Sequence, residues 1–172
     1  IRIHFVGIGG IGMSGIAELM LDLGYIIQGS DININSNIQR LKTKGIKFFK
    51  NHNKKNLKNV SAAVYSSAIQ KSNPELLECE RLSIPLISRA DMLAELMKFK
   101  KSIAVAGSHG KTTTTSIVGS FFDKANFDPT IVNGGIINSY SKNNKLGNGD
   151  WMIVEADESD GTFNRLPATI AI

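Results

Sequence analysis

Residues 3–12 read Ile3-His4-Phe5-Val6-Gly7-Ile8-Gly9-Gly10-Ile11-Gly12, an apolar run of strand character followed at once by Gly7-x-Gly9-x-x-Gly12. The residues behind it, about 13–23, carry helical spacing, and Gly24 stands where a glycine ends a helix. A strand, a glycine turn and a helix in that order open a doubly wound parallel sheet. The glycines let the backbone turn tightly and approach a pyrophosphate that rests on helix N–H groups. Asp31 follows Gly12 by 19 residues, after a second strand read at residues 25–29, where an acid can bind ribose hydroxyls. By themselves Gly7, Gly9, Gly10, Gly12 and Asp31 report a diphosphate nucleotide and do not separate NAD from a UDP-sugar.

Outward from that unit, β-rich apolar runs alternate with helix-like segments, the pattern of a parallel α/β protein. Ser36 can cap a short helix through residue 44, and strands are expected at 46–49 and 62–66. Pro74 can start a helix that contains Leu76, Leu77 and Cys79, and Pro85-Leu86-Ile87 begins a fifth strand. A helix over 90–99 carries Met92, Leu93, Leu96 and Met97 at core-packing spacing. The pattern then restarts, with strands at 103–106, 130–132 and 151–156, a helix at 111–124 and a loop at 134–149. The expected fold is α/β: a Rossmann-like parallel-sheet domain over 1–99, then the first part of a P-loop-type α/β ATPase domain over 100–172, with the boundary near 98–102.

The second unit carries its own glycine turn, Gly107-Ser108-His109-Gly110-Lys111-Thr112-Thr113-Thr114. Successive N–H groups of such a loop cradle phosphates. Lys111 can neutralise β/γ oxygens, and the Thr112 hydroxyl can ligate Mg²⁺. The spacing departs from the usual G-x-x-x-x-G-K-[ST], because Val105 stands five before Gly110 and Gly107 only three before it. A third motif, Val154-Glu155-Ala156-Asp157-Glu158-Ser159-Asp160, ends a strand at the sheet edge that holds the phosphate loop. Glu155, nearest the buried strand, is the stronger candidate for Mg²⁺; Asp157, Glu158 and Asp160 read equally as a solvated turn.

The chain has 172 residues, 42% hydrophobic and 20% charged, with one cysteine. Those proportions suit a globular protein that needs no disulfide, and a reducing, cytoplasmic location is expected. No apolar run reaches the ~18–20 residues of a membrane span, and no signal-peptide pattern opens the chain. A first residue other than Met and a strand-like end at 168–172 lead us to expect further chain. The net charge of +5 is concentrated in a lysine-rich stretch from Arg40 to Lys58. Only Phe48 and Phe49 interleave there, so it reads as a solvated surface and not as a nucleic-acid site. His4, inside a strand, reads as a packed histidine, and Cys79 as inert. Ser66-Ser67 lacks the glycines of a nucleophile elbow, which argues against a hydrolase.

Several stretches together resemble the Mur ligase family. They are the run from Phe5 to Ala17, Ser66-Ser67-Ala68-Ile69, Asn73-Pro74-Glu75-Leu76, Arg89-Ala90-Asp91-Met92-Leu93-Ala94-Glu95, residues 104–115, Val132-Asn133-Gly134-Gly135 and residues 155–160. The resemblance covers essentially the whole chain in order, and it is nearer to the alanine-adding member than to the related ligase that recycles murein tripeptide, whose first glycine loop differs. It implies an ATP-dependent ligase of peptidoglycan precursor synthesis that joins L-alanine to the lactyl carboxylate of UDP-N-acetylmuramic acid through an acyl phosphate. It further implies three domains, of which this chain supplies the UDP-sugar-binding first and about half of the ATPase second, so that the isolated chain binds nucleotide without sustained turnover.

Carried over by residue, Gly107, Ser108, His109, Gly110, Lys111, Thr112 and Thr113 would hold ATP. Lys111 would stabilise the migrating phosphoryl group, and Thr112 with Glu155 would bind Mg²⁺. The Gly7–Gly12 loop would hold the diphosphate and Asp31 the uridine end, with His52, Ser67 and Asn133 as further UDP-sugar contacts. The role of His109 stays open between nucleotide and substrate, and a further metal-binding histidine of the family lies beyond residue 172. An NAD-dependent oxidoreductase leaves Gly110-Lys111-Thr112-Thr113 and Glu155 without a purpose; a P-loop kinase or switch leaves the first glycine loop unexplained. A non-enzymatic binding module remains open for this segment alone. No nucleic-acid or membrane partner is expected, and the sequence does not speak to oligomeric state.

Overall fold

In the computed structural model, strand β1 (Arg2–Val6) is buried along His4, Phe5 and Val6, as an apolar run covered on both faces requires. The structure describes residues 1–133, 144–145, 147–156 and 166–172. Around β1 stand α1 (Ile11–Asp22), β2 (Ile26–Asp31), α2 (Ser36–Thr43), β3 (Lys47–Lys50), a 3-10 turn at Lys54–Leu57, β4 (Ala62–Tyr65), α3 (Pro74–Arg81) and β5 (Leu86–Ser88). The five strands are parallel in the order β3-β2-β1-β4-β5. Register places Val6 beside both Ser30 and Tyr65, and Ser30 beside Phe49, so the carboxyl ends line one edge. Strand order reverses between β1 and β4, the switch point where α/β sheets bind ligands.

Packing explains the local sequence. α1 buries Met13, Ile16, Ala17 and Met20; α2 buries Ile38 and Leu41. Each of the Met, Ile and Leu side chains contributes about 1.5–3 kcal/mol relative to exposure. Gly29 leaves room for Ile8: a Cβ at Gly29 would lie 2.6 Å from Ile8 Cδ1 and 2.7 Å from the Phe5 carbonyl oxygen. His4 is fully buried, as expected of a packed histidine, and so is Cys79. Burial and the neighbouring Glu75, Glu78 and Glu80 push the Cys79 thiol up to about 11, so it carries no reactive thiolate at neutral pH.

Two local expectations are corrected. The cap of α2 is Asn35, not Ser36: its side chain accepts from the Ile38 N–H at 3.1 Å while its own backbone is extended. Strand β2 runs on through Asp31, because its pairing with β3 continues to Asp31↔Lys50.

The chain divides into two units, Ile1–Arg89 and Ala90–Ile172, about ten residues before the expected boundary. Helix α4 (Arg89–Met97) starts at this division, and its Met97 carbonyl accepts from the Ser102 hydroxyl at 3.1 Å, at the start of the next strand. The second unit contains β6 (Lys101–Val105), α5 (Lys111–Lys124), β7 (Thr130–Val132), β8 (Asn144–Lys145), β9 (Trp151–Glu155) and β10 (Ile170–Ala171), with strand order β10-β6-β9-β7-β8. All pairs are parallel except β7–β8. Its core is Ile103, Val105, Ile131 and Ile153, flanked by Val118, Phe122 and Trp151, with Phe122 edge-on to Trp151 at 5.3 Å.

Strand β8 falls inside the stretch read as a loop over 134–149. Lys145 bridges Asp123 at 2.5 Å and Asp128 at 2.9 Å, and that tertiary pairing is invisible to local composition. Residues 134–143 and 146 of that loop lie outside the described residues. β10 is an edge strand with Ile170 and Ile172 exposed. Among the described residues no helix is long and apolar enough to cross a membrane.

Candidate functional site

Each unit has one helix that begins on a bare glycine at the carboxyl edge of its sheet. Asn35 and Asn73 cap α2 and α3 with side-chain oxygens, whereas α1 starts on Gly10 and α5 on Gly110, neither with a side-chain cap. The first-turn N–H groups of α1 and α5 are therefore not engaged by a cap side chain, and the positive end of each helix dipole faces the loop.

In the first unit the glycine loop is pinned from inside. The N–H groups of Gly7 and Ile8 both donate to the Ser30 carbonyl, at 2.9 and 3.0 Å, and the Gly9 N–H donates to Asp31 Oδ2 at 2.9 Å. Asn35 and Asn37 donate from their side chains to the Gly9 carbonyl. Gly7, at φ +82°, makes a turn that L side chains rarely adopt. Gly7 and Gly9 thus shape the loop, and Gly10, whose N–H turns back to the Gly7 carbonyl at 3.3 Å, is its exposed member.

A Cβ at Gly12 would lie 2.8 Å from Arg89 Nη1, which brings a guanidinium to the start of α1, a residue that motif reading passed over as a site. Asp31 keeps its carboxylate at the loop, with Oδ1 accepting from the Asn33 N–H. Ser67 is exposed in the turn after β4, on the edge that also carries Gly7.

Beneath the loop lies a buried polar cluster that motif reading also missed. Glu75, fully buried, accepts from Ser30 Oγ at 2.5 Å and Asn56 Nδ2 at 2.7 Å, and from the Asn53 N–H at 3.3 Å. His52 Nδ1 lies 3.0 Å from its Oε2 and His4 Nε2 3.3 Å from its Oε1. Burial works to raise the Glu75 pKa, but the close His4 ring, with the donors Ser30 and Asn56, outweighs it and holds the carboxyl at about 2. The sequence signal was Asn73-Pro74-Glu75, which by itself marks only a capped helix start.

In the second unit Gly110 takes the left-handed conformation, φ +77°, that starts α5. Ser108, His109 and Gly110 are exposed, and His109 Nδ1 lies 3.3 Å from Ser108 Oγ. Lys111 Nζ donates to the Gly107 carbonyl at 2.5 Å. Parallel pairing of β6 with β9 sets Val105 beside Glu155, and the Thr112 hydroxyl lies 3.1 and 3.2 Å from the two Glu155 oxygens. A hydroxyl and a carboxylate so close, next to a phosphate-type loop, form a hard oxygen set of the kind Mg²⁺ takes while keeping several waters. Thr113 is exposed on the first turn of α5, and Asn133 is buried just after β7. Asp157, Glu158 and Asp160 lie outside the described residues.

Comparison with known proteins gives a consistent picture. The sequence profile described as "Mur ligase family, catalytic domain" matches residues 2–101. The UDP-N-acetylmuramate–L-alanine ligase of Methylorubrum populi is 59% identical over 99% of this chain and 36% of its own length; that of Parvibaculum lavamentivorans is 59% identical over 99% and 35%. The chain thus spans about a third of the length of these curated relatives. The crystal structure of the UDP-N-acetylmuramate-alanine ligase of Thermotoga maritima superposes with a TM-score of 0.92 at 32% identity, over 99% of this chain and 40% of that one. A Neisseria UDP-N-acetylmuramate:L-alanyl-gamma-D-glutamyl-meso-diaminopimelate ligase, 24% identical with a TM-score of 0.91, shares the fold.

Proposed function

Because the chain belongs to the Mur ligase family, we propose that it forms the sugar-nucleotide site and part of the ATP site of a ligase that joins L-alanine to UDP-N-acetylmuramic acid. The observation that carries this reading is the Thr112–Glu155 oxygen pair beside Lys111 and the Gly110-capped helix, in a chain that also holds a separate Rossmann-type glycine loop. A dehydrogenase needs only the second of these and a kinase only the first.

The chemistry explains why two nucleotide sites are needed. A carboxylate does not condense with an amine at neutral pH. Transfer of the γ-phosphoryl group of ATP to the lactyl carboxylate releases ADP and turns a carboxylate oxygen into a leaving group. The alanine amine then attacks the carbonyl carbon of that acyl phosphate, and inorganic phosphate and a proton depart. The protein's part is positioning and charge compensation.

In this reading Gly107, Ser108, Gly110 and Thr113 cradle the ATP phosphates at the α5 N-terminus, and Lys111 offsets charge on the migrating group. Thr112 and Glu155 would hold Mg²⁺, which neutralises phosphate oxygens when bound. Gly10 and Gly12 face the UDP diphosphate while Gly7 and Gly9 hold the loop's shape. Asp31 takes the ribose end, and His52, Ser67 and Asn133 contribute to the sugar nucleotide. His109, exposed in the phosphate loop, stands ready for either ligand. Apart from Asn133, the proposed UDP-sugar contacts belong to the first unit and the ATP contacts to the second.

The test is ADP release by the full-length protein. It is expected to require UDP-N-acetylmuramic acid and L-alanine together, and calorimetry is expected to show heat from the UDP-sugar and none from NADH. NADH binding without UDP-sugar binding would overturn the ligase reading. The 172 residues alone are expected to bind nucleotide without turnover, and steady product from them would refute that division of labour.

A further inference from the structure

The buried cluster under the glycine loop fixes protons as well as atoms. Gln28 Nε2 donates to the Asn56 carbonyl at 2.6 Å, which identifies it as the amide nitrogen, and it lies 3.2 Å from His4 Nδ1. His4 Nδ1 is therefore an acceptor, and the His4 proton sits on Nε2, facing Glu75 Oε1. His52 is the reverse. Its Nδ1 lies 3.0 Å from Glu75 Oε2 and 2.8 Å from Ser30 Oγ, whose own proton goes to the same Oε2. An ionised carboxylate only accepts, so Nδ1 of His52 carries a proton, and in the neutral ring Nε2 is then the acceptor. The other ring nitrogen, Nε2, makes no hydrogen bond among the described residues, and the side chain is 12% exposed at the carboxyl edge of the sheet.

Ser30 joins this cluster to the loop. Its hydroxyl donates to Glu75, while its carbonyl holds the N–H groups of Gly7 and Ile8. One buried carboxylate thus reaches both the ring of His52 and the strand end from which the glycine loop hangs.

We propose that Glu75 is a positioning residue of the sugar-nucleotide site: it locks His52 with the proton on Nδ1, so that Nε2 is presented as an acceptor for a ligand hydroxyl, and through Ser30 it holds the glycine loop in place. The recognised group is a hydroxyl of the ribose or amino sugar, since a lone pair on Nε2 repels phosphate oxygens. This inference rests on the UDP-sugar reading of the first unit.

The test uses the full-length protein with ¹⁵N-labelled histidine, the His52 signals being assigned by His52→Gln. Long-range ¹H–¹⁵N spectra of the wild type are expected to show His52 as the Nδ1–H tautomer, with Nε2 shifting on addition of UDP-N-acetylmuramic acid. In Glu75→Gln the neutral amide no longer dictates the tautomer. His52 is then expected to move toward Nε2–H, and the KM for the UDP-sugar to rise between about tenfold and a hundredfold, the scale of a small misplacement, with the KM for ATP unchanged. Should Glu75→Gln not fold, Ser30→Ala, which deletes one oxygen and leaves every sheet bond, is expected to weaken UDP-sugar binding severalfold while His52 keeps its tautomer. An Nε2–H tautomer in the wild type, or unchanged UDP-sugar KM in these variants, would overturn the inference alone. Absence of UDP-sugar binding to the wild type would overturn the underlying reading, and the inference with it.

Discussion

The ionisation of Glu75 also makes a thermodynamic prediction. Its carboxyl titrates at about 2 in the folded chain against 4.5 for an unperturbed glutamate. At about 1.4 kcal/mol per pH unit, that difference stabilises the fold by at most about 3 kcal/mol at neutral pH. Because the folded value is the lower one, the contribution is fully present above pH 4.5 and is lost as pH falls from there through about 2. Glu75→Gln keeps the shape but cannot ionise, so it is expected to be up to about 3 kcal/mol less stable than the wild type at pH 7. That gap is expected to shrink steadily below pH 4.5. Urea titrations of both proteins followed by circular dichroism at pH 7, 5, 4 and 3 measure it. Taking the difference between the two removes contributions shared by both, including those of Asp128 and Glu78, whose carboxyls are also held low. A gap that stays constant with pH, or is absent at pH 7, would refute the claim that the cluster binds an ionised Glu75.

Three further outcomes are expected. Gly29→Ala puts a Cβ 2.6 Å from Ile8 Cδ1 and 2.7 Å from the Phe5 carbonyl and should destabilise the first unit by about 1–3 kcal/mol; a thermal midpoint equal to that of the wild type contradicts the packing argument. Asn35→Ala removes the acceptor for the Ile38 N–H and should cost about 1 kcal/mol in denaturant titration, with no loss meaning that the cap is redundant. Lys111→Met should lower turnover by at least about a hundredfold, as loss of a charge-stabilising group does, while calorimetric affinity for UDP-N-acetylmuramic acid holds; wild-type turnover would remove Lys111 from the phosphoryl-transfer site.

Spacing alone was enough to read the two glycine turns, the alternation of strands and helices and the buried stripe of Met92, Leu93, Leu96 and Met97, because periodicity and turn chemistry are local properties. The Mur ligase family was legible for the same reason, its motifs being short and ordered along the chain. Local sequence did not say that Gly7 and Gly9 bond inward while Gly10 stands exposed, since that depends on the Ser30 carbonyl and the Asp31 carboxylate, which the parallel register of β1 and β2 delivers. It did not place the division between the units at the start of α4 rather than after its end, which depends on packing between distant parts of the chain. Nor did it find the Glu75 cluster. His4, Ser30, His52 and Glu75 come from four separate segments, and each has an ordinary local role as strand residue, strand end, loop or helix start. Only the folded sheet brings them within hydrogen-bond reach, where burial makes one carboxylate gather donors from all sides, because an ion shut away from water must find its partners within the protein.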